Sequence, residues 1–193
     1  MTDEELFREW QAGSAGALEA LVRRHHAPLL AHLYRLTGDR CLAEDLVQET
    51  FLRLVREAHA YRYPRPFVPW LCTIARNLAR NHWESAAYRR TVAWNEGASA
   101  RTDAADPAEW LERLEGRDGI GRALAALTFE HREVLSLRYG QELPVEQVAA
   151  VLGLPVGTVK SRTFTALRRL RALLQPDSAT EGDARADGAA RRL

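Results

Sequence analysis

Lysine occurs once in 193 residues, at Lys160, and methionine once, at Met1. The two cysteines, Cys41 and Cys72, are too few for a disulfide framework or an all-cysteine zinc site. No run approaches the roughly 18 uninterrupted apolar residues of a membrane span. Met1–Glu9 is acidic and lacks the basic-then-apolar order of a secretory signal. No glycine-rich phosphate loop and no H-E-x-x-H pair is present. Sustained alternation of apolar and polar residues, the mark of a half-buried strand, is missing throughout. With 46% hydrophobic and 27% charged residues the chain is no disordered polymer. These absences predict a soluble, cytoplasmic, all-α protein that needs no metal and no cofactor.

Net charge is +1, which by itself argues against a nucleic-acid partner. The figure hides a division along the chain. Between Val156 and Leu173 five bases (Lys160, Arg162, Arg168, Arg169, Arg171) meet no acid, a local +5. Between Asn95 and Asp118 seven acids oppose three arginines, a local −4. Segments that differ this much in sign predict a modular protein.

Helical periodicity fills most of the rest. Ala17, Leu21, Leu29, Leu33 and Leu36 share one face until Gly38, which reads as a helix stop. A second helix is predicted over about 41–59, with Leu42, Leu46, Phe51 or Thr50, Leu54, and Val55 or Ala58 inward. Tyr61–Pro69 holds three prolines and cannot be helix interior, so helix resumes near Pro69 or Trp70 and runs to about Ala87. Residues 89–118, rich in Ala, Asp, Glu and Thr, read as a flexible linker with a short helix near Ala108–Leu114. A second compact unit follows, with helices predicted at Ile120–Leu127, Phe129–Tyr139, Pro144–Leu152 and Pro155–Leu174. The tail, 176–193, carries no large apolar residue before Leu193 and reads as disordered.

In that second unit Ala149, Gly153 and Val159 stand at helix-turn-helix spacing. They supply a small residue where two helices cross, a turn residue tolerant of positive φ, and an apolar anchor facing back. On the last helix Val159, Thr163, Ala166, Leu167, Leu170 and Leu174 point inward. Thr158, Lys160, Ser161, Arg162, Thr165, Arg168 and Arg169 populate the other side. Hydroxyls and bases at the start of the helix suit base edges, and arginines further along suit phosphates. The bland alternative is a solvated basic face; the Ala–Gly–Val spacing favours DNA.

The N-terminal unit offers two further constellations. Glu44, Asp45, Gln48 and Glu49 cluster on an outward helix face, a set able to pair with arginines on a partner helix, or simply solvated. The loop Tyr61–Pro69 combines Tyr61, Arg62, Tyr63 and Arg65 with its prolines. Trp70, Arg76, Asn77, Arg80 and Asn81 follow, with no acid before Glu84. Aromatics stack on bases and arginines meet phosphates, so this surface could hold unstacked single-stranded DNA. A tight loop whose aromatics cap the core is the competing reading.

Three motifs in order carry a resemblance: A-E-D-L-V-Q-E-T-F-L-R-L (43–54), F-V-P-W-L-C-T-I-A-R-N-L-A-R-N-H (67–82) and G-L-P-V-G-T-V-K-S-R-T-F-T-A-L-R-R-L-R (153–171). Together they resemble bacterial RNA polymerase sigma factors of the sigma-70 family, extracytoplasmic-function (ECF) group, over about Glu5–Tyr88 and Gly119–Leu174. The resemblance implies a sigma-2-like bundle at 1–88 and a sigma-4-like helix-turn-helix domain at 119–175. Asp45, Gln48, Glu49 and Phe51 would then dock on the clamp helices of the polymerase β′ subunit. Residues 61–83 would melt and hold the −10 element, and the helix at 158–169 would read the −35 element. The same resemblance implies a contact with the β flap, passage of the acidic linker near the RNA exit path, and sequestration by an anti-sigma factor. Pro155 stands in the neighbourhood where many relatives have a Ser or Thr cap on the recognition helix, and Pro144 likewise precedes the first helix of the pair; proline at a first helical position is acceptable because its missing N–H would be unpaired anyway. Arg80-Asn81-His82-Trp83-Glu84 departs from a frequent Asp–His pair, and so leaves the −10 preference open.

Two rival classes remain. An enzyme would need a site such as His25, His26 and His32 with Glu19 or Cys41, but no metal-binding spacing supports one. A stand-alone helix-turn-helix regulator fits the C-terminal half almost as well. It has no use for the motifs at 45–51 and 70–82.

Overall fold

A computed structural model describes residues 1–94 and 118–174, with side chains placed for 1–85 and 119–174. Among the described residues there are eight α-helices and no strand. The first, α1 (Asp3–Gln11), was not legible in the helical periodicity above, yet its start carries a local signature. Thr2 Oγ1 accepts from the Glu5 amide at 3.2 Å while Glu5 Oε2 accepts from the Thr2 amide at 2.7 Å, a reciprocal capping box. Asp3, Glu4 and Glu5 place negative charge where the helix dipole favours it.

Helix α2 (Ala15–Thr37) ends as expected at Gly38, whose φ of 72° lies in the left-handed region that glycine adopts without steric cost. Asp39 caps α3 (Arg40–Arg56) by accepting from the Leu42 amide at 3.1 Å. A single 3₁₀ turn, Ala58–Ala60, takes the place of the predicted last turn of α3. Inside α3 the buried face is Ala43, Leu46, Val47, Thr50 and Leu54; Leu42 and Phe51 are half-buried and Val55 is exposed.

Helix α4 (Phe67–Trp94) begins two residues before the predicted start. Pro69 falls in its first turn, where the missing amide has no intrahelical partner to lose. The free Phe67 amide is instead taken by Glu4 Oε1 at 2.9 Å, so α1 caps α4. At its other end α4 reaches Trp94, into the stretch read as linker. The predicted short helix at 108–114 and the disordered tail lie outside the described residues.

The second group comprises α5 (Asp118–Ala125), α6 (Phe129–Leu135) continued by a π turn at Ser136–Gly140, α7 (Val145–Leu152) and α8 (Val156–Leu174). Gly153, φ 65°, makes the turn between α7 and α8, and Ala149 and Val159 are buried at the crossing, as the helix-turn-helix spacing requires. Val159 and Ala166 face inward on α8, with Thr163 and Leu170 half-buried, but Leu167 and Leu174 are exposed. The last turns of α8 have too little of the bundle beside them to cover every apolar position.

Phe7, fully buried, is the hub of the first core. Its ring centroid lies 5.0 Å from Trp10, 4.7 Å from Tyr61, 5.4 Å from Phe67 and 5.2 Å from Trp70. Leu21, Leu33, Leu36, Leu54 and Leu71 complete that core, while Leu137, Val148, Leu152 and Val159 build the second. The two cores touch: Cys72 of α4 packs in the second, and Phe129 of α6 in the first. Between them, His32 Nδ1 and Ser136 Oγ form a buried hydrogen bond of 2.8 Å.

Burial, reinforced by the Arg35 charge, pushes the His32 imidazole down to about 3. The folded state therefore holds His32 neutral, whereas an unfolded chain takes up the proton near the ordinary value of about 6.5. This contribution is fully present above about pH 6.5 and is lost progressively as pH falls toward 3. At pH 5 the expected loss is about 2 kcal/mol. Urea unfolding at pH 7.5 and pH 5 checks it. His32→Asn, able to retain a bond toward Ser136, should show a smaller acid-induced loss, and an identical loss in both proteins would contradict the assignment.

Candidate nucleic-acid interface

The recognition-helix residues occupy one continuous outer surface of α8. Lys160, Ser161, Arg168 and Arg169 are exposed; Thr158, Arg162 and Thr165 are half-buried. Ser161 Oγ donates to the Thr158 carbonyl at 3.0 Å and Thr163 Oγ1 to the Val159 carbonyl at 2.7 Å, so these hydroxyls are held close to the helix backbone. Arg169 approaches His131 Nδ1 at 3.4 Å. Burial, then the charges of Arg169 and Arg162, hold the His131 imidazole below its usual value, so the ring is neutral beside a basic surface. Glu130 is the acid next to this surface. Backbone and Thr128 hydrogen bonds, with the Arg162 charge, lower its carboxyl. Its charge acts on Arg162 without neutralising the helix, since among the described residues Lys160, Arg168 and Arg169 form no ion pair.

The loop before α4 divides the residues singled out there into two sets. Tyr61 and Trp70 are buried in the aromatic cluster, and the Tyr61 hydroxyl donates to the Arg65 carbonyl. Their rings are filled by protein neighbours and are not presented to a base. Arg62, Tyr63 and Arg65 remain on the surface, with Arg62 donating to the His59 and Tyr61 carbonyls. Tyr63 offers a half-exposed ring with the Arg8 guanidinium 4.7 Å from its centroid. Asn77, Arg80 and Asn81 are exposed along α4, Arg80 pairing with Glu84 at 2.9 Å. Arg76 is the exception: its Nε donates to Glu133 Oε1 of α6 at 2.5 Å, and the pair is almost wholly covered.

On α3, Asp45 and Gln48 are exposed and make no side-chain hydrogen bond or ion pair among the described residues, whereas Glu49 accepts from Arg53 at 3.1 Å and Phe51 packs half-buried against the first core. One feature of the surface had no counterpart in the expectations from sequence. Phe164 is 68% exposed on α8, and with Leu167 and Leu174 it makes an apolar strip. Only a correct assignment of which α8 face meets α5–α7 could have revealed it.

The histidines drawn together as a metal site separate in the structure. His25 Nε2 meets Asp3 Oδ2 at 2.8 Å and His32 turns to Ser136. Among the described residues no group of three or more His, Cys, Asp or Glu is placed to hold a metal ion, and no helix is long and apolar enough to cross a membrane.

Comparison with known proteins places this geometry. The family model for sigma-70 region 2 matches residues 21–89, and that for sigma-70 region 4 matches residues 123–172. The chain is similar to the ECF RNA polymerase sigma factor SigL of Mycobacterium tuberculosis, 39% identical over 85% of this chain and 92% of that one. It is also similar to the ECF RNA polymerase sigma factor BldN of Streptomyces coelicolor, 34% identical over 90% of this chain but only 66% of the relative's length. Among solved structures, the sigma factor RpoE in complex with the anti-sigma factor NepR from Bartonella quintana superposes with a TM-score of 0.67 at 27% identity, covering 82% of this chain and 97% of that one.

Proposed function

The chain belongs to the ECF group of the sigma-70 family of RNA polymerase sigma factors, and from that membership we propose that it binds core RNA polymerase and directs it to promoters through two separate DNA-reading surfaces. The observation that carries the proposal is the pairing of a helix-turn-helix unit bearing a basic outer face with a helical bundle bearing an acidic one. The protein supplies recognition, and the polymerase supplies the chemistry.

Residues 119–175 form the −35-reading domain. Thr158, Lys160, Ser161, Arg162 and Thr165 face base edges in the major groove, and Arg168 and Arg169 reach the flanking phosphates. Residues 1–88 bind the polymerase and the −10 element. Asp45 and Gln48 make the polar contacts with the β′ clamp helices, with Glu49 and Phe51 shaping the edge of that patch. Arg62, Tyr63, Arg65, Asn77, Arg80 and Asn81 line the path of the melted strand, where arginines meet phosphate and Tyr63 stacks on a base. Tyr61 and Trp70 act from within, by fixing the loop, and Arg76 joins the DNA-facing set only when released from Glu133. The exposed apolar strip at Phe164, Leu167 and Leu174 is the surface of the second unit suited to the β flap. Residues 89–118 span the two surfaces within the polymerase, and the whole works where the polymerase works, in the cytoplasm. An anti-sigma factor, as in the complex of RpoE, would act by covering these same surfaces.

Asp45→Ala with Gln48→Ala is expected to weaken core polymerase binding about tenfold while leaving duplex −35 binding unchanged. Both variants alter exposed positions, so folding should persist. Parallel loss of both activities would contradict the separation of surfaces.

A further inference from the structure

We propose that the cleft where α2 meets α5, α6 and α8 binds a small amphipathic oxyanion, an alkyl carboxylate or alkyl phosphate, with its anionic head on Arg132 and its apolar body among leucines. The site is independent of the residues assigned to promoter reading. Two adjoining cavities of about 270 Å³ and about 300 Å³ form the cleft, and Arg35, Leu124 and Arg132 line both. The smaller is completed chiefly by Leu135, Leu167 and Leu170, the larger by Arg122 with small residues. Among the described residues no aspartate or glutamate lines either cavity. One end of the cleft is therefore cationic and the other apolar, the complement of a molecule with a charged head and a greasy body.

Arg132 is the group that calls for an anion. Its residue is 5% exposed, and among the described residues it forms no ion pair and its Nε makes no hydrogen bond. A buried charge without a counter-ion is costly, and so is a buried donor without an acceptor. The neighbouring acids do not supply the partner. Glu133 is committed to Arg76, and Glu130 acts on Arg132 only through its charge. Burial, opposed by that charge, holds the Arg132 guanidinium below its usual value. The Trp83 ring, 5.3 Å away, offers a π-face and no oxygen. Arg35 is brought to the same cleft by a glycine: a Cβ on Gly140 would stand 2.6 Å from Arg35 Nη1. Two guanidinium groups lining one cavity repel each other, and an oxyanion accepting from both replaces repulsion with charge-assisted hydrogen bonds. The forked donors of arginine fit carboxylate and phosphate oxygens alike. Size sets the body: a dry cavity of about 150 Å³ holds one benzene, so the leucine-lined cavity takes a chain of roughly eight carbons.

Octyl phosphate, octanoate, butyl phosphate, octanol and inorganic phosphate, titrated calorimetrically into the full-length protein, test the site. One of the two octyl anions should bind at one molecule per chain, and the tighter of them identifies the head. Each methylene removed should weaken binding about threefold, so butyl phosphate falls well below octyl phosphate. Octanol, which lacks the charge, should bind at least about tenfold more weakly than the tighter octyl anion. These comparisons use the wild-type protein and need no variant. Arg132→Met, which keeps length and removes charge, should lower affinity for that anion at least about tenfold. Gly140→Ala, a half-buried turn position, displaces the Arg35 guanidinium and should cost about threefold. Saturating anion should raise the urea midpoint of the wild type and leave that of Arg132→Met unmoved. Three results would each overturn the site: neither octyl anion binds, octanol or inorganic phosphate binds as tightly as the octyl anions, or affinity is the same in the wild type and both variants.

Discussion

Replacing both Arg162 and Arg168 with alanine should lower affinity for duplex −35 DNA by about 100-fold while leaving core polymerase binding intact. The two arginines are asked for different things. Arg162, half-buried and within reach of the Glu130 charge, sits nearly two turns into α8, where a recognition helix meets base edges. A bidentate contact there is worth about 1–3 kcal/mol of discrimination, so its loss should relax the preference at one position. Arg168 is exposed further along the helix, where it meets the backbone. Its loss should weaken all duplexes alike and reduce the salt slope by about one. Titrations of each single variant against duplexes with substituted −35 bases, at two salt concentrations, separate these effects. A uniform loss from Arg162→Ala, with no change in base preference, would place it on phosphate instead.

The second large effect concerns the fold. Phe7→Ala should destabilise the protein by about 3–5 kcal/mol, a substantial share of the 5–15 kcal/mol typical of a domain. Phe7 is fully buried and touches four aromatic rings drawn from three places in the chain. Truncation leaves a void that rigid rings cannot collapse to fill. It also loosens α1, and with it the Glu4 cap on α4 and the pairs from Asp3 to Arg24 and His25. Phe7→Leu, which keeps most of the volume, should cost clearly less. Urea denaturation gives the comparison. A loss below about 1 kcal/mol for Phe7→Ala would mean that the ring is not the hub of this core.

What could be read from the sequence was local. Gly38 and Gly153 stop helices because their positive φ is a property of one residue and its neighbours. The Ala149–Gly153–Val159 spacing worked because a helix-turn-helix is held together within a dozen residues. The capping box at Thr2 and Glu5 was equally local, and with Leu6, Phe7 and Trp10 it marks α1 to a reader who starts at the first residue. The aromatic loop was different. Tyr61 and Tyr63 are two positions apart with the same chemistry, yet one is buried and the other open. The difference is made by Phe7, more than fifty residues earlier, and nothing near the loop announces it. The start of α4 shifted for a related reason: the cap for Phe67 comes from Glu4. Arg76 is the extreme case, since its partner Glu133 belongs to another helical unit and no spacing rule connects them.

Run-off transcription tests the central claim most directly. The purified protein is mixed with bacterial core RNA polymerase on a library of genomic fragments, with core alone as reference. Discrete transcripts that appear only when the protein is added, sharing two upstream elements, are the predicted result. Stable binding to duplex DNA with no polymerase association and no transcripts would contradict it. The chain would then be acting as a self-contained helix-turn-helix regulator.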